Sequence, residues 1–376
     1  MQPVCKIIYS ERFERYSYGV NHPFRLDRGK LFLNSAHRLN LIGEHQIILQ
    51  DNGREEHIRL FHTNKYTDIL KIANTGEIEA EFLQYGIGLP DNPVFKGIFD
   101  VALLHSAMAY ESFLRLNDAD RIFVPVGGLH HAMRERASGF CYINDIGILI
   151  ELLLREKKRI FYIDIDAHHG DGIQNGFYSN PDVLKMSFHE SGKTLFPFSG
   201  FEDELGEDKG RFYNLNIPLN GYSDDEVFLF LFKNIFPPII NRFDPDITIA
   251  QIGVDMMSTD PLTHLRLTNN SYIEAVKIIT EHSKKLVAFG GGGYNPDNIV
   301  RGYTLAWAVI NEIETEDYSS LMLGGTFMGS LEHTLGSLKD MNLFVSGPEK
   351  DIARKEAERI LNFYEKNIFP FYGINS

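Results

Sequence analysis

The sequence predicts an α/β protein with a three-layer, open, mostly parallel sheet carrying helices on both faces. Apolar runs of strand length alternate with amphipathic stretches of helix length, which implies parallel strands joined by crossovers. Several of these runs end in glycine followed by His, Asp or Tyr, and open parallel sheets place their ligands beyond the carboxyl ends of the strands. At 376 residues, 43 % hydrophobic and 23 % charged, the chain has ample material for a core. No linker-like, low-complexity or repeated segment divides it, so one domain over residues 1–376 is expected.

The expected strands are 121–126, 159–165, 183–188, 247–252 and 286–289, runs rich in Ile, Val and Phe. Helical spacing of apolar residues falls in 94–116, 144–156, 224–236, 272–284 and 298–313, with a last amphipathic helix at 348–367. Ser223 with Glu226 three residues on reads as a capping box for the third of these helices. Pro237 and Pro238 are expected to stop or kink it.

Acidic residues number 51 against 37 basic, a formal charge of −14. That excludes a general nucleic-acid binder, which carries a basic face, and suits cationic peptides or amines. Two cysteines, Cys5 and Cys141, exclude a disulfide framework and point to a reducing compartment. No apolar run reaches membrane-spanning length and the first residues lack a secretory pattern, so a soluble, cytoplasmic protein with no membrane partner is expected.

Four strand ends carry chemistry: Gly127-Gly-Leu-His-His131, Asp164-Ile-Asp-Ala-His-His-Gly-Asp-Gly172, Gly253-Val-Asp255 and Gly290-Gly-Gly-Gly-Tyr294. In an extended chain Asp164, Asp166 and His168 project to one side, two carboxylates and an imidazole where a strand leaves the core. Asp166, His168 and Asp255 make a natural metal set, and three protein ligands leave a position open, as in catalytic zinc sites. Such an ion acidifies water and polarises a carbonyl. His130 and His131 suit proton transfer at neutral pH, with Asp164 and Asp171 available to orient the two imidazoles. Tyr294, on its glycine turn, can donate to a developing oxyanion. The glycine run lacks the spacing and the following acidic residue of a dinucleotide loop.

These motifs, with Asn21-His-Pro23, Arg28, Phe61-His-Thr63 and Gly139-Phe-Cys-Tyr-Ile-Asn-Asp145, resemble the zinc-dependent histone deacetylases of the class I type, including bacterial and archaeal acetoin-utilisation deacetylases. The similarity covers most of the chain and thins after about residue 315. It implies the arginase/deacetylase-like fold and hydrolysis of N-ε-acetyl-lysine in a protein or peptide. It also implies Asp166, His168 and Asp255 as ligands to Zn²⁺, or Fe²⁺ in the cell. By the same resemblance His130 and His131 are general base and acid coupled to Asp164 and Asp171, and Tyr294 stabilises the oxyanion. Gly139, Phe140 and Phe196 then line an acyl-lysine tunnel with Leu262 at its side, Asp91 holds the substrate backbone at the rim, and Arg28 lies near an internal pocket below the metal. Structural K⁺ is implied near Asp164, Asp166, His168, Ser187 and Phe188, and again near Phe177, Asn180, Val183 and Tyr213, where Asn180 replaces a threonine of some relatives. Thr259-Asp-Pro-Leu-Thr263 offers no basic residue for an inositol phosphate, so a stand-alone bacterial or archaeal deacylase is expected. The alternatives are an amidohydrolase of acetylpolyamines or other small acyl-amines, and a silent acyl-lysine-binding scaffold. A two-metal ureohydrolase lacks its ligand set here. Oligomeric state is open.

Overall fold

The computed structural model describes residues 2–313, 338–343 and 345–375. Eight strands form one sheet in the order β2-β1-β3-β8-β7-β4-β5-β6, and every neighbouring pair is parallel. They are β1 (Cys5–Tyr9), β2 (Ile47–Leu49), β3 (Arg121–Val124), β4 (Ile160–Asp164), β5 (Val183–Glu190), β6 (Asn214–Leu219), β7 (Ile247–Gln251) and β8 (Leu286–Phe289). The helices among the described residues are α1 (Arg28–Arg38), α2 (Glu55–Ile58), α3 (Asn64–Ile72), α4 (Ile98–Arg115), α5 (Asp145–Arg155), α6 (Asp171–Gly176), α7 (Asp225–Phe243), α8 (Asn269–Glu281), α9 (Pro296–Ile310) and α10 (Pro348–Asn367). Helices cover both faces, so the three-layer α/β expectation holds, and none of them is long and apolar enough to cross a membrane.

All five expected strands form. β1, β2 and β6 were not foreseen. The sequence of β6 is Asn-Leu-Asn-Ile-Pro-Leu, all six positions buried, and its asparagines interrupt the apolar run. Tertiary partners satisfy them: Asn214 and Asn216 each donate through Nδ2 to Gln174 Oε1, at 2.7 and 2.8 Å. Pro218 is tolerated because β6 is an edge strand.

α7 corrects two expectations. Asp224, not Ser223, is its N-cap, with Oδ1 accepting from Val227 N at 3.1 Å, while Glu226 faces Lys350 at 2.7 Å. Pro237 and Pro238 do not end the helix, which runs on to Phe243. An interior proline costs about 3 kcal/mol. Opposing that cost, α7 buries Phe228, Leu231, Phe232, Ile235, Phe236, Ile239, Ile240 and Phe243. Each such side chain contributes about 1.5–3 kcal/mol, so the apolar stripe outweighs the prolines. α10 docks through Ala353, Ala357, Ile360 and Tyr364, whose hydroxyl donates to Asn216 O at 2.9 Å.

Candidate active site

The chain builds β3 and β4 apart and later inserts β7 and β8 between them, so the four motif-bearing strands lie side by side at the centre of the sheet. Their last residues, Val124, Phe289, Gln251 and Asp164, form one row in register. Everything that follows those residues converges on one edge.

Beyond β4 the carboxylates fold the chain back on itself. Asp164 Oδ1 accepts from Asp166 N at 3.0 Å, and Asp166 Oδ1 from His168 N at 2.9 Å. Asp255, arriving from β7, accepts from Ala167 N at 2.9 Å. Donor atoms of Asp166, His168 and Asp255, all buried, thereby lie within 4.8 Å of one another. His168 Nδ1 is 3.2 Å from Asp166 Oδ1 and 3.1 Å from Asp255 Oδ2. A divalent ion fits this donor set. Burial and the Asp166 charge push the Asp255 carboxyl above the usual carboxylate range, the strain of two like charges held out of water. No ion pair among the described residues brings a lysine or arginine to either carboxylate. The space is also kept clear: a Cβ on Gly292 would overlap both Asp255 Oδ2 and Asp166 Oδ2.

The two histidines stand beside this cluster with their Nε2 atoms 3.0 Å apart. Each has its own carboxylate, His130 Nδ1 lying 2.8 Å from Asp164 and His131 Nδ1 2.7 Å from Asp171. Burial lowers His130, but the Asp164 and Asp166 charges outweigh it and carry the imidazole up to about 9. Burial and the neighbouring His130 charge bring His131 down to about 4, Asp171 partly opposing. The two shifts run in opposite directions, favouring a protonated His130 beside a neutral His131.

Tyr294 packs edge-on to His168 with ring centroids 6.3 Å apart, and His131 stands edge-on to the same imidazole at 6.0 Å. Burial and the Asp255 and Asp166 charges hold its phenol well above the usual range, so it remains a donor. The residues expected to line a tunnel pack beside these groups. Phe196 packs edge-on 5.1 Å from His131, Phe140 edge-on 5.6 Å from Tyr294, and Gly139 lies against the His131 ring at φ 49°. Leu262 is half-buried, and Asp91 is exposed with its carbonyl 3.2 Å from His22 Nε2, a ring that stands edge-on to Phe140. Arg28 is fully buried. Its guanidinium donates to Gly291 O and, at 3.1 Å, to Gly293 O, anchoring the turn that carries Tyr294.

The groups named for cations are placed less uniformly. Of Asp164, Asp166, His168, Ser187 and Phe188, Asp164 and Ser187 are neighbours across β4 and β5, where Ser187 Oγ is 2.7 Å from His189 Nδ1. At the other position, near Val183 and Tyr213, the Phe177 carbonyl accepts from Asn180 N at 3.1 Å and from the buried Lys185 ammonium at 2.5 Å.

Four residues of the site were missed in the sequence. Asp260 accepts from Tyr294 N at 2.7 Å and Leu262 N at 3.0 Å, joining the Tyr294 turn to the Leu262 segment. Gln251 Nε2 donates to Asp166 Oδ2 at 2.9 Å, and Tyr162 donates its hydroxyl to Asp164. Asp145 accepts from Gly128 N at 3.0 Å and Leu129 N at 2.8 Å, shaping the turn before the histidines. Only Asp145 carried a signal, inside the segment Gly139–Asp145. The others join the site only through hydrogen bonds formed on folding.

A sheet-edge cluster of two carboxylates and an imidazole, flanked by paired histidines and a protonated tyrosine, defines a hydrolase. The chain belongs to the histone deacetylase family, whose domain matches residues 22–310, and a deacetylase activity follows from that membership. It is 37 % identical over 312 residues to the acetoin utilization protein AcuC of Bacillus subtilis, covering 81 % of this chain and 80 % of that one. With AcuC of Staphylococcus aureus strain MRSA252 the identity is 38 % over 310 residues, 80 % and 79 % of the two chains. Crystal structures of an HDAC homologue complexed with SAHA and of an HDAC homologue from Aquifex aeolicus each superpose with a TM-score of 0.83 at 32 % identity, over 95 % of this chain and 100 % of theirs.

Proposed function

We propose that this chain is a zinc-dependent deacylase that hydrolyses the amide of N-ε-acetyl-lysine in a protein or peptide, releasing lysine and acetate. The observation that carries it is the histidine pair, each imidazole on its own carboxylate, beside the Asp166, His168 and Asp255 cluster. Those three residues would hold Zn²⁺, or Fe²⁺ in the cell, which supplies Lewis acidity to polarise the acyl carbonyl and acidify water. The resemblance implies His130 as the base, but its imidazole is held protonated while His131 is held neutral. His131 therefore takes the proton of the attacking water, and Asp171 steadies the charge that results. The imidazole pair then returns a proton to the departing lysine amine, with Asp164 holding His130 in place. Tyr294 donates its hydroxyl to the carbonyl oxygen as negative charge develops there. Phe140, Phe196 and Gly139 confine the acyl chain and exclude water, Leu262 and Asp91 meet the substrate at the mouth, and Arg28 fixes the Tyr294 turn.

We read residues 1–376 as one deacetylase domain, supported by a hydrophobic core that runs from Cys5 to Phe369. A K⁺ ion is proposed where Asp164 on β4 neighbours Ser187 on β5; at the second position Lys185 competes for the Phe177 carbonyl. The unpaired, buried Cys5 and Cys141 support a cytoplasmic setting.

The reading is tested on purified, metal-quantified enzyme with an acetyl-lysine peptide and acetylspermidine. A higher kcat/KM on the peptide is expected. The reverse preference would reassign the enzyme to small acyl-amines.

Asp171→Asn tests the proton pathway. Asp171 raises the His131 pKa, so its loss lowers that pKa further and leaves a weaker base. The acidic limb of the pH–rate profile should move to lower pH while the plateau falls about tenfold or more. A profile superimposable on wild type would break the proposed pairing.

A further inference from the structure

Phe198 combines two features that folding disfavours. Its residue surface is 66 % exposed, and its backbone is left-handed at φ 63°, a conformation a bulky side chain adopts only at a cost. The surrounding loop holds it there. Phe198 N donates to Leu195 O at 3.1 Å, and Ser199 Oγ lies 2.9 Å from His169 Nδ1. Gly192 packs so closely that a Cβ on it would come within 2.6 Å of Ser199 N. Thr194, in the same loop, donates to the buried Glu190 at 2.8 Å.

None of these contacts uses the Phe198 ring. The ring stands edge-on to Phe196 with centroids 6.4 Å apart, and Phe196 stands on His131. Phe198 thus carries the aromatic wall of the tunnel outward to solvent. On the Phe140 side, His22 leads to Val20, which is fully exposed. The carboxylates nearest the mouth face inward: Glu190 accepts from Thr194, Thr263 and His264, and Asp260 from Leu262 and Tyr294. Phe198 is thus exposed apolar surface continuous with the aromatic residues beside His131, which matches a hydrophobic side chain.

We propose that Phe198 is a specificity-determining residue that binds an apolar side chain flanking the acyl-lysine of a peptide substrate. This rests on the deacylase reading of the same site. The test measures kcat/KM on two acetyl-lysine peptides that differ only in a flanking leucine or glycine. Wild type should prefer the leucine peptide, and Phe198→Gly should lower that ratio about tenfold, the scale of one lost apolar contact. Glycine suits the left-handed backbone, so the variant should melt no lower than wild type. Phe198→Asn, which also tolerates that conformation, is the second variant. Equal rates on both peptides in wild type, or an unchanged ratio in both variants, overturn the assignment of Phe198 alone. No turnover of either peptide by metal-loaded wild type overturns the deacylase reading and the assignment together.

Discussion

Asp255→Ala protein should purify with little or no bound metal and with no measurable deacylation above background. Wild type is expected to carry close to one equivalent of metal by elemental analysis. Asp255 supplies one of three donors within 4.8 Å of each other, and the two that remain cannot displace water from a dication. Changes to groups behind metal ligands already cost about 10–100-fold in affinity, so loss of a direct ligand should cost more. Asp255→Asn keeps the shape and removes the charge; it should fold, since the buried like-charge repulsion with Asp166 is relieved, and should be similarly metal-poor. His168→Ala should behave alike. Full metal occupancy in the Asp255 variants would remove this residue from the metal site.

Tyr294→Phe should lower kcat far more than it weakens binding. Its hydroxyl bonds to no protein group among the described residues, so deletion leaves no buried partner unsatisfied and stability should hold. A donor aimed at the developing oxyanion matters most in the transition state. Loss of one such donor costs about 10²–10³ in kcat, roughly 3–4 kcal/mol. A hydroxamate inhibitor, bound chiefly through metal chelation, should lose only modest affinity. Near-wild-type kcat on an acetyl-lysine peptide would mean that Tyr294 merely packs on Gly293 and His168.

How much of this was legible in the chain differs by element. The five central strands, the α/β class and the four motifs could be read from residue pattern, because each is local: a β-branched run, a glycine turn, a polar residue next to it. Asp166 and His168 share a segment, and spacing alone places them on one side. His130 and His131 also share a segment, but adjacent residues alternate sides in an extended chain, and only the folded turn brings their imidazoles together. The Asp255 and Tyr294 assignments needed the further rule that parallel strands open at one edge, which the sheet bears out.

What remained hidden depends on distance along the chain. The order β3-β8-β7-β4 arises from late strands inserting between early ones, and nothing in any one segment records its neighbour. β6 looked too polar because its asparagines are satisfied by Gln174, 40 and 42 residues away. α7 passes two prolines because the core it covers outweighs the lost backbone bonds, a balance visible only once that core exists. Asp260 and Gln251 reach Tyr294 and Asp166 across 34 and 85 residues. Ligand types and turn chemistry are written locally in the side chains, whereas the partners that orient them are long-range hydrogen bonds created by folding itself.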